Sequence, residues 1–207
     1  MSVVLSHLYA ILDPAQTRGR PVQSVLDGLL AAGVKLIQYR DKNASSRELF
    51  ERSSQLVPAV RSAHGIFIVN DRADVSLAVD AAGVHLGQDD LPAELARLVL
   101  KPEKIIGCST HNLEQVRAAE LTSADYIAFG PIFATRSKDQ PDPLVGLDGL
   151  RQARAATRKP LVAIGGITAE TAPAVIEAGA DSVAVISDLI GATNIETRAR
   201  EYLRQLA

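Results

Sequence analysis

The sequence predicts an α/β fold: a single (β/α)8 TIM barrel over residues 1–207, with a parallel eight-stranded core. Three observations predict it. Short apolar runs alternate with longer segments of helical period along the whole chain, which implies a parallel sheet with crossover helices. The runs are rich in Val and Ile and nearly free of charge, as strands buried on both faces are. Eight such runs in 207 residues suit a barrel at the compact end of its size range.

The first run is LYAIL at 8–12. The segment ILDPAQTRG at 11–19 lacks the glycine-rich turn that opens a doubly wound nucleotide-binding sheet, so closure is favoured over an open sheet. VQSVLDGLLAA (22–32) has apolar residues at helical spacing and leads through Gly33 to KLIQY (35–39). SRELFERSSQLVPAV (46–60) is the next helix, before IFIVN (66–70). RADVSLAVDAAG then leads through Gly83 to VHLG (84–87). LPAELARLVL (91–100) precedes IIGCS (105–109), and NLEQVRAAEL (112–121) precedes YIAFG (126–130). A long polar segment, PIFATRSKDQPDPLVG (131–146), comes before LVAIG (161–165). Gly179 marks the last junction before SVAVIS (182–187), and NIETRAREYLRQL (194–206) is the final helix. Gly33, Gly83 and Gly179 stand where a helix end favours positive φ. AAGVKLIQ (31–38), AAGVHLGQ (81–88) and, more loosely, EAGADSVAVI (177–186) repeat this junction, as a βα repeat would.

Composition narrows the function classes. Lys and Arg total 22 against 24 Asp and Glu, a net charge of −2, which offers no basic field for nucleic acid or for an anionic membrane. The single cysteine, Cys108, excludes an intramolecular disulfide and a cysteine-based zinc site and suits a reducing compartment. No stretch reaches the roughly 18 apolar residues of a membrane span. MSVVLSHLYAILD reads as the approach to a strand rather than as a signal peptide. The expectation is a cytoplasmic protein acting on small molecules, with no nucleic acid or membrane partner and with a homo-oligomer left open.

In such a barrel the chemistry sits at the C-terminal strand ends and in the loops after them. Gln38, Arg40 and Lys42 are two apart, so while the chain stays extended they point the same way. Three polar residues in phase on a buried strand suggest an amide and two cations at the barrel mouth rather than a plain Lys–Asp surface pair. Asn70 and Asp71 come after the third run, and either could cap a helix. In GQDDLP (87–92), Asp89 or Asp90 could do the same, with Pro92 in the first turn. Adjacent strands also bring Asp71 and Asp90 to neighbouring rim positions. Such a pair suits Mg2+, which takes one or two protein carboxylates plus phosphate oxygens and water.

Ser109 ends the fifth run and Thr110 and His111 follow it, with no Asp or Glu set by sequence to complete a nucleophilic triad. The 131–146 segment is too long for a plain connector. Its Thr135, Arg136, Ser137 and Lys138 suit an anion, and its length with Pro141 and Pro143 suggests a lid. Gly165, Gly166 and Ser187 stand after the seventh and eighth runs, where these barrels build phosphate sites from glycine backbone and helix N-termini.

QYRDK (38–42), the Asn70–Asp71 pair, GVHLGQDDLP, GCSTHN, FGPIFATRSK, AIGGIT and AVIS, in this order, resemble the thiamine-phosphate synthase family from Leu8 to Ile190. The resemblance implies a (β/α)8 transferase that joins hydroxymethylpyrimidine diphosphate to thiazole phosphate with Mg2+, giving thiamine phosphate and pyrophosphate. It implies that Gln38, Arg40, Lys42, Asn70, Ser109 and Lys138 bind the pyrimidine diphosphate, with Tyr39 and Asp41 in the same substrate-binding motif. Of these, Arg40, Lys42, Ser109 and Lys138 would carry catalysis. Asp71 and Asp90 would hold Mg2+. Thr135 and Ser137, with Gly166, Ile186 and Ser187, would hold the thiazole phosphate, and Arg136 lies in the same substrate-binding motif. Ser137 departs from the family motif, which more usually has a second Thr there, but keeps the hydroxyl. Two other outcomes stay open on the same barrel: a thiazole tautomerase-like isomerase, with no use for a diphosphate-binding metal, and a non-catalytic regulator that binds thiazole or thiamine phosphate.

Overall fold

In a computed structural model, which describes residues 4–135 and 143–207, the strands close into one parallel barrel in chain order, β1 pairing with both β2 and β8. The strands are β1 Leu8–Leu12, β2 Leu36–Tyr39, β3 Ile66–Asn70, β4 Gly83–Leu86, β5 Ile105–Thr110, β6 Tyr126–Phe129, β7 Leu161–Ile164 and β8 Ser182–Val185. Closure splits the apolar residues by parity. Tyr9, Ile11, Leu36, Ile68, Tyr126, Ala128, Val162 and Ala184 pack together inside the barrel. Their neighbours in sequence, such as Leu8, Ala10, Ile37, Tyr39, Ile127 and Val183, face the helices. The unbroken apolar runs result from this, because both faces of each strand are buried.

Around the barrel lie α1 Val22–Ala32, α2 Ser46–Ser62, α3 Ala73–Ala78, α4 Ala93–Val99, α5 Leu113–Glu120, α6 Gly146–Ala156, α7 Ala172–Glu177, α8 Ser187–Ile190 and α9 Ile195–Gln205. A capping box starts α2: Ser45 Oγ accepts from the Glu48 amide, and Glu48 Oε2 accepts from the Ser45 amide. Such a cap is worth about 1 kcal/mol. Side chains of Asn112 and Asn194 cap α5 and α9.

At the N-terminal ends of the strands, two aspartates repeat one device. Asp125 Oδ2 accepts from the Ile106 amide and from Arg97, while Asp181 Oδ2 accepts from the Leu161 amide and from Arg154. Each ties a strand entry to its neighbour and to a helix arginine. This face is built for closure.

Three local readings change. Gly83 is the first residue of β4 rather than a positive-φ helix end, and a Cβ there would stand 2.0 Å from the Ile105 carbonyl oxygen. Close strand approach is its reason. Neither Asn70 nor Asp71 caps α3, whose N-cap position is Arg72, and Pro92 precedes α4 with no side-chain cap from Asp89 or Asp90. Ser187 opens the short α8 instead of ending β8. Among the described residues, no helix is long and apolar enough to cross a membrane.

Candidate active site

A cavity of about 570 Å³ opens at the C-terminal ends of the strands. Gln38, Arg40, Asn70, Ser109, Thr135, Gly166, Ile186 and Ser187 all line it. Parity sorts the motif at 38–42: positions 38 and 40 continue the inward phase of Leu36, whereas 39 and 41 turn outward. The resemblance implies Tyr39 and Asp41 at the substrate, but their side chains face away. The Tyr39 ring is buried among the helices, its hydroxyl donates to Asp41, and Asp41 pairs with Arg52 on α2. Arg136, Ser137, Lys138 and Pro141 lie outside the described residues, and with them most of the expected lid.

One side of the mouth, at β2 to β4, is built from charged side chains. Arg40 donates to Asp13, which is nearly fully buried and also caps the turn Pro14–Gln16 through the Ala15 amide. Lys42 pairs with Asp71 at the rim. Asp71 takes φ +63°, a conformation that Asn and Asp tolerate better than most residues, and its amide donates to the His85 carbonyl. Asp90 accepts from the Gly87 amide at 2.7 Å and stands beside Asp71. Burial first, and then the Asp71 carboxylate, push the Asp90 carboxyl above its ordinary pKa. Two carboxylates held in mutual repulsion at a half-buried rim form a donor set that a small divalent cation would relieve. No third His, Cys, Asp or Glu joins them among the described residues. That suits Mg2+ bound through two carboxylates and the oxygens of a phosphate ligand.

The opposite side, at β7 and β8, is built from backbone. Gly165 and Gly166 come after β7 at φ +103° and +61°. The loop after β6 lies against them: the Ile132 amide donates to the Ile164 carbonyl at 2.9 Å, and the Phe133 amide to the Gly165 carbonyl at 3.0 Å. A Cβ on Gly166 would stand 2.4 Å from the Ala134 carbonyl oxygen. The sequence suggests that the glycine pair admits a phosphate; its immediate requirement is room for this loop.

Ser187 and Asp188 open α8 at the cavity edge. The Asp188 charge is held from behind, by a two-pronged Arg198 at 2.9 and 3.0 Å and by the Tyr202 hydroxyl at 2.6 Å. Arg20 clips the end of the same helix, donating to the carbonyls of Ile190 and Ala192. Beside it, Arg18 lines the cavity over Gly191.

A chain of hydrogen bonds crosses the barrel interior beneath the mouth. Gln38 Nε2 donates to the Tyr9 hydroxyl at 2.9 Å, and the Tyr9 and Tyr126 hydroxyls meet at 2.9 Å. Tyr126 Oη meets His85 Nδ1 at 2.8 Å, and His85 Nε2 meets Ser109 Oγ at 2.8 Å. Both tyrosines are fully buried, and burial is the first cause that pushes each phenol well above its ordinary pKa. Gly107 makes room for this arrangement, since a Cβ there would overlap the Tyr126 ring at 2.0 Å.

A family model described as thiamine monophosphate synthase matches residues 8–189. The chain belongs to that family. It is 50% identical over 206 residues to the thiamine-phosphate synthase of Koribacter versatilis, covering 98% of this chain and 96% of that one. It is 47% identical over 193 residues to the thiamine-phosphate synthase of Moorella thermoacetica, covering 93% and 92%. Its fold matches the solved thiamine phosphate pyrophosphorylase of Pyrococcus furiosus with TM-score 0.87 at 38% identity, covering 96% and 94%.

Within this thiamine monophosphate synthase barrel, sequence reasoning singles out the residues around the cavity but not those beneath it. Tyr9 and Tyr126 read as core aromatics. His85 is the polar residue inside the apolar VHL run, a signal that points inward once the strand is placed. Asp13 and Arg18 lie in a turn judged only by the glycines it lacks; Asp13 shares the inward phase of Tyr9 and Ile11, which is a second such signal.

Proposed function

We propose that this enzyme joins hydroxymethylpyrimidine diphosphate to thiazole phosphate, forming thiamine phosphate and releasing pyrophosphate. The observation that carries this is the asymmetry of one cavity. Arg40 lines one side, with the Lys42–Asp71 pair and Asp90 at its rim, and glycine backbone and the Ser187 hydroxyl form the other, with Arg18 reaching it over Gly191. A diphosphate that leaves needs its growing charge met, whereas a phosphate that stays needs orientation.

Arg40, with Lys42 beside it, holds the diphosphate, and Gln38, Asn70 and Ser109 hold the pyrimidine above the barrel floor. Asp71 and Asp90 would hold Mg2+, which would supply positive charge for the diphosphate oxygens. Gly166, Ile186, Ser187 and Thr135 hold the thiazole phosphate, and Arg18 supplies a cation to it. The bond from the pyrimidine methylene to the diphosphate oxygen breaks with its electron pair leaving on oxygen, and the thiazole nitrogen supplies the pair of the new C–N bond. The aminopyrimidine delocalises charge on the methylene, so the substitution is dissociative and requires no covalent enzyme intermediate. Holding the two substrates face to face supplies much of the acceleration. Cys108 is not among the residues that line the cavity, and burial pushes its thiol up to about 11. The reaction suits the cytoplasm.

The test is a coupling assay with both purified substrates and Mg2+, monitoring pyrophosphate. Thiamine phosphate and pyrophosphate in equal amounts are expected. Thiazole isomerisation without coupling would assign the barrel to an isomerase, and binding without turnover to a regulator.

A further inference from the structure

The chain of hydrogen bonds under the cavity has a direction. Each phenol carries one proton, so each can donate once. Tyr9 accepts from Gln38 Nε2, and among the described residues the Tyr126 oxygen is the one acceptor bonded to its hydroxyl, so its proton goes there. Tyr126 in turn gives its proton to His85 Nδ1. A neutral His85 that accepts at Nδ1 carries its proton on Nε2, and donates it to Ser109 Oγ. The two ends are then unlike. Gln38 keeps its Oε1 as an acceptor and its second Nε2–H as a donor, neither with a hydrogen-bond partner among the described residues, and Ser109 keeps its hydroxyl proton as a donor. Both residues line the cavity, from β2 and from the strand β5 across the barrel. Reversing one link would require reversing all of them, so the polarity is a property of the whole chain.

We propose that Tyr9, Tyr126 and His85 are positioning residues that fix this polarity, so that the cavity accepts a pyrimidine whose exocyclic amino group faces Gln38 and whose unprotonated ring nitrogen faces Ser109. An oxo group in place of the amino group gives the Gln38 Oε1 no proton and can use only the one Nε2–H that Tyr9 leaves free, so the cavity binds it more weakly. The selectivity rests on the coupling function proposed above; the direction of the chain does not. A site that must satisfy a buried polar group discriminates far more strongly than one that only fits a shape.

The experiment compares the aminopyrimidine diphosphate with its 4-oxo analogue, at saturating thiazole phosphate, in wild type, Tyr9→Phe and Tyr126→Phe. In the same proteins, 15N spectra of the histidines report the His85 tautomer. Both substitutions keep the ring that fills the interior, and circular dichroism identifies the folded variants. Wild type is expected to prefer the amino substrate by about 100-fold or more in kcat/KM. Each variant is expected to lose about tenfold or more of that preference through a raised KM for the aminopyrimidine. The KM for thiazole phosphate stays within about twofold, a split that general loosening of the barrel would not give. His85 is expected as the Nε2–H tautomer in wild type, and Tyr126→Phe should shift its Nδ1 signal. A folded Tyr126→Phe with the full preference, or His85 as the Nδ1–H tautomer in wild type, overturns the proposal. If wild type couples neither pyrimidine, the coupling function is what fails, and the tautomer still decides the direction of the chain.

Discussion

The two sides of the barrel mouth hold their groups in different ways. At β2 to β4, the Arg40 side chain lines the cavity and is steadied by Asp13, with the Lys42–Asp71 ion pair at the rim beside it. At β7 and β8, positive-φ glycines and a four-residue helix form the wall, Arg18 reaches the cavity beside that helix, and Arg20 and Arg198 brace it from behind. Side chains can respond to charge that develops during a reaction, while backbone offers a fixed frame. A wall of each kind fits one substrate that comes apart and one that does not.

The largest effect should come from the Asp71–Asp90 pair. Asp90→Asn is expected to lower turnover by about 100-fold or more at ordinary Mg2+ while the far-ultraviolet spectrum stays unchanged, and chelation should abolish wild-type coupling. Full activity in excess chelator would remove the metal from the charged side.

Next comes the support of Arg40. Asp13→Ala removes both the turn cap and the partner of Arg40, and should cost about 2–3 kcal/mol in urea unfolding. Adding Arg40→Ala should cost little more, because the two groups share one interaction. Additive losses would mean that the pair is incidental.

On the backbone side, Gly166→Ala puts a Cβ against the Ala134 carbonyl at a left-handed φ. It should lower stability by about 1–3 kcal/mol and raise the KM for thiazole phosphate. An unchanged melting temperature with a raised KM would mean that the glycine serves the ligand alone. Smaller still, Arg198→Met should leave the Asp188 charge uncompensated at the cavity edge and raise the same KM by about threefold, with little change for the pyrimidine diphosphate. An unchanged KM would show that the charge behind the wall does not reach the substrate.

How much of this the sequence discloses depends on which features share its periodicities. All eight strands are legible, because burial on both faces writes an uninterrupted Val- and Ile-rich run. Helices α6 and α7 are not: GLDGLRQARAA opens on glycine, and APAVIE is too short to develop a period. Gln38 and Arg40 are legible as polar residues in phase on a buried strand. The polar floor is hidden, since a tyrosine in an apolar run reads as packing until the opposite strand brings a second hydroxyl to it. The glycines at 165 and 166 are legible as a special turn, but what lies against them, Pro131 at Gly165 and the Ala134 carbonyl at Gly166, comes from a different strand end. The motif at 38–42 reads as one unit, although alternation sends Tyr39 and Asp41 to the other face.

The central claim is that the two anions occupy separate walls, and steady-state kinetics on Arg40→Ala and Arg18→Ala, with each substrate varied in turn, test it most directly. Arg40→Ala should raise the KM for the pyrimidine diphosphate by about tenfold or more and leave that for thiazole phosphate within about twofold. Arg18→Ala should do the reverse, by about threefold to tenfold. If both variants raise both constants equally, the cavity has one shared anion site, and the division drawn here between a charged wall and a backbone wall is wrong.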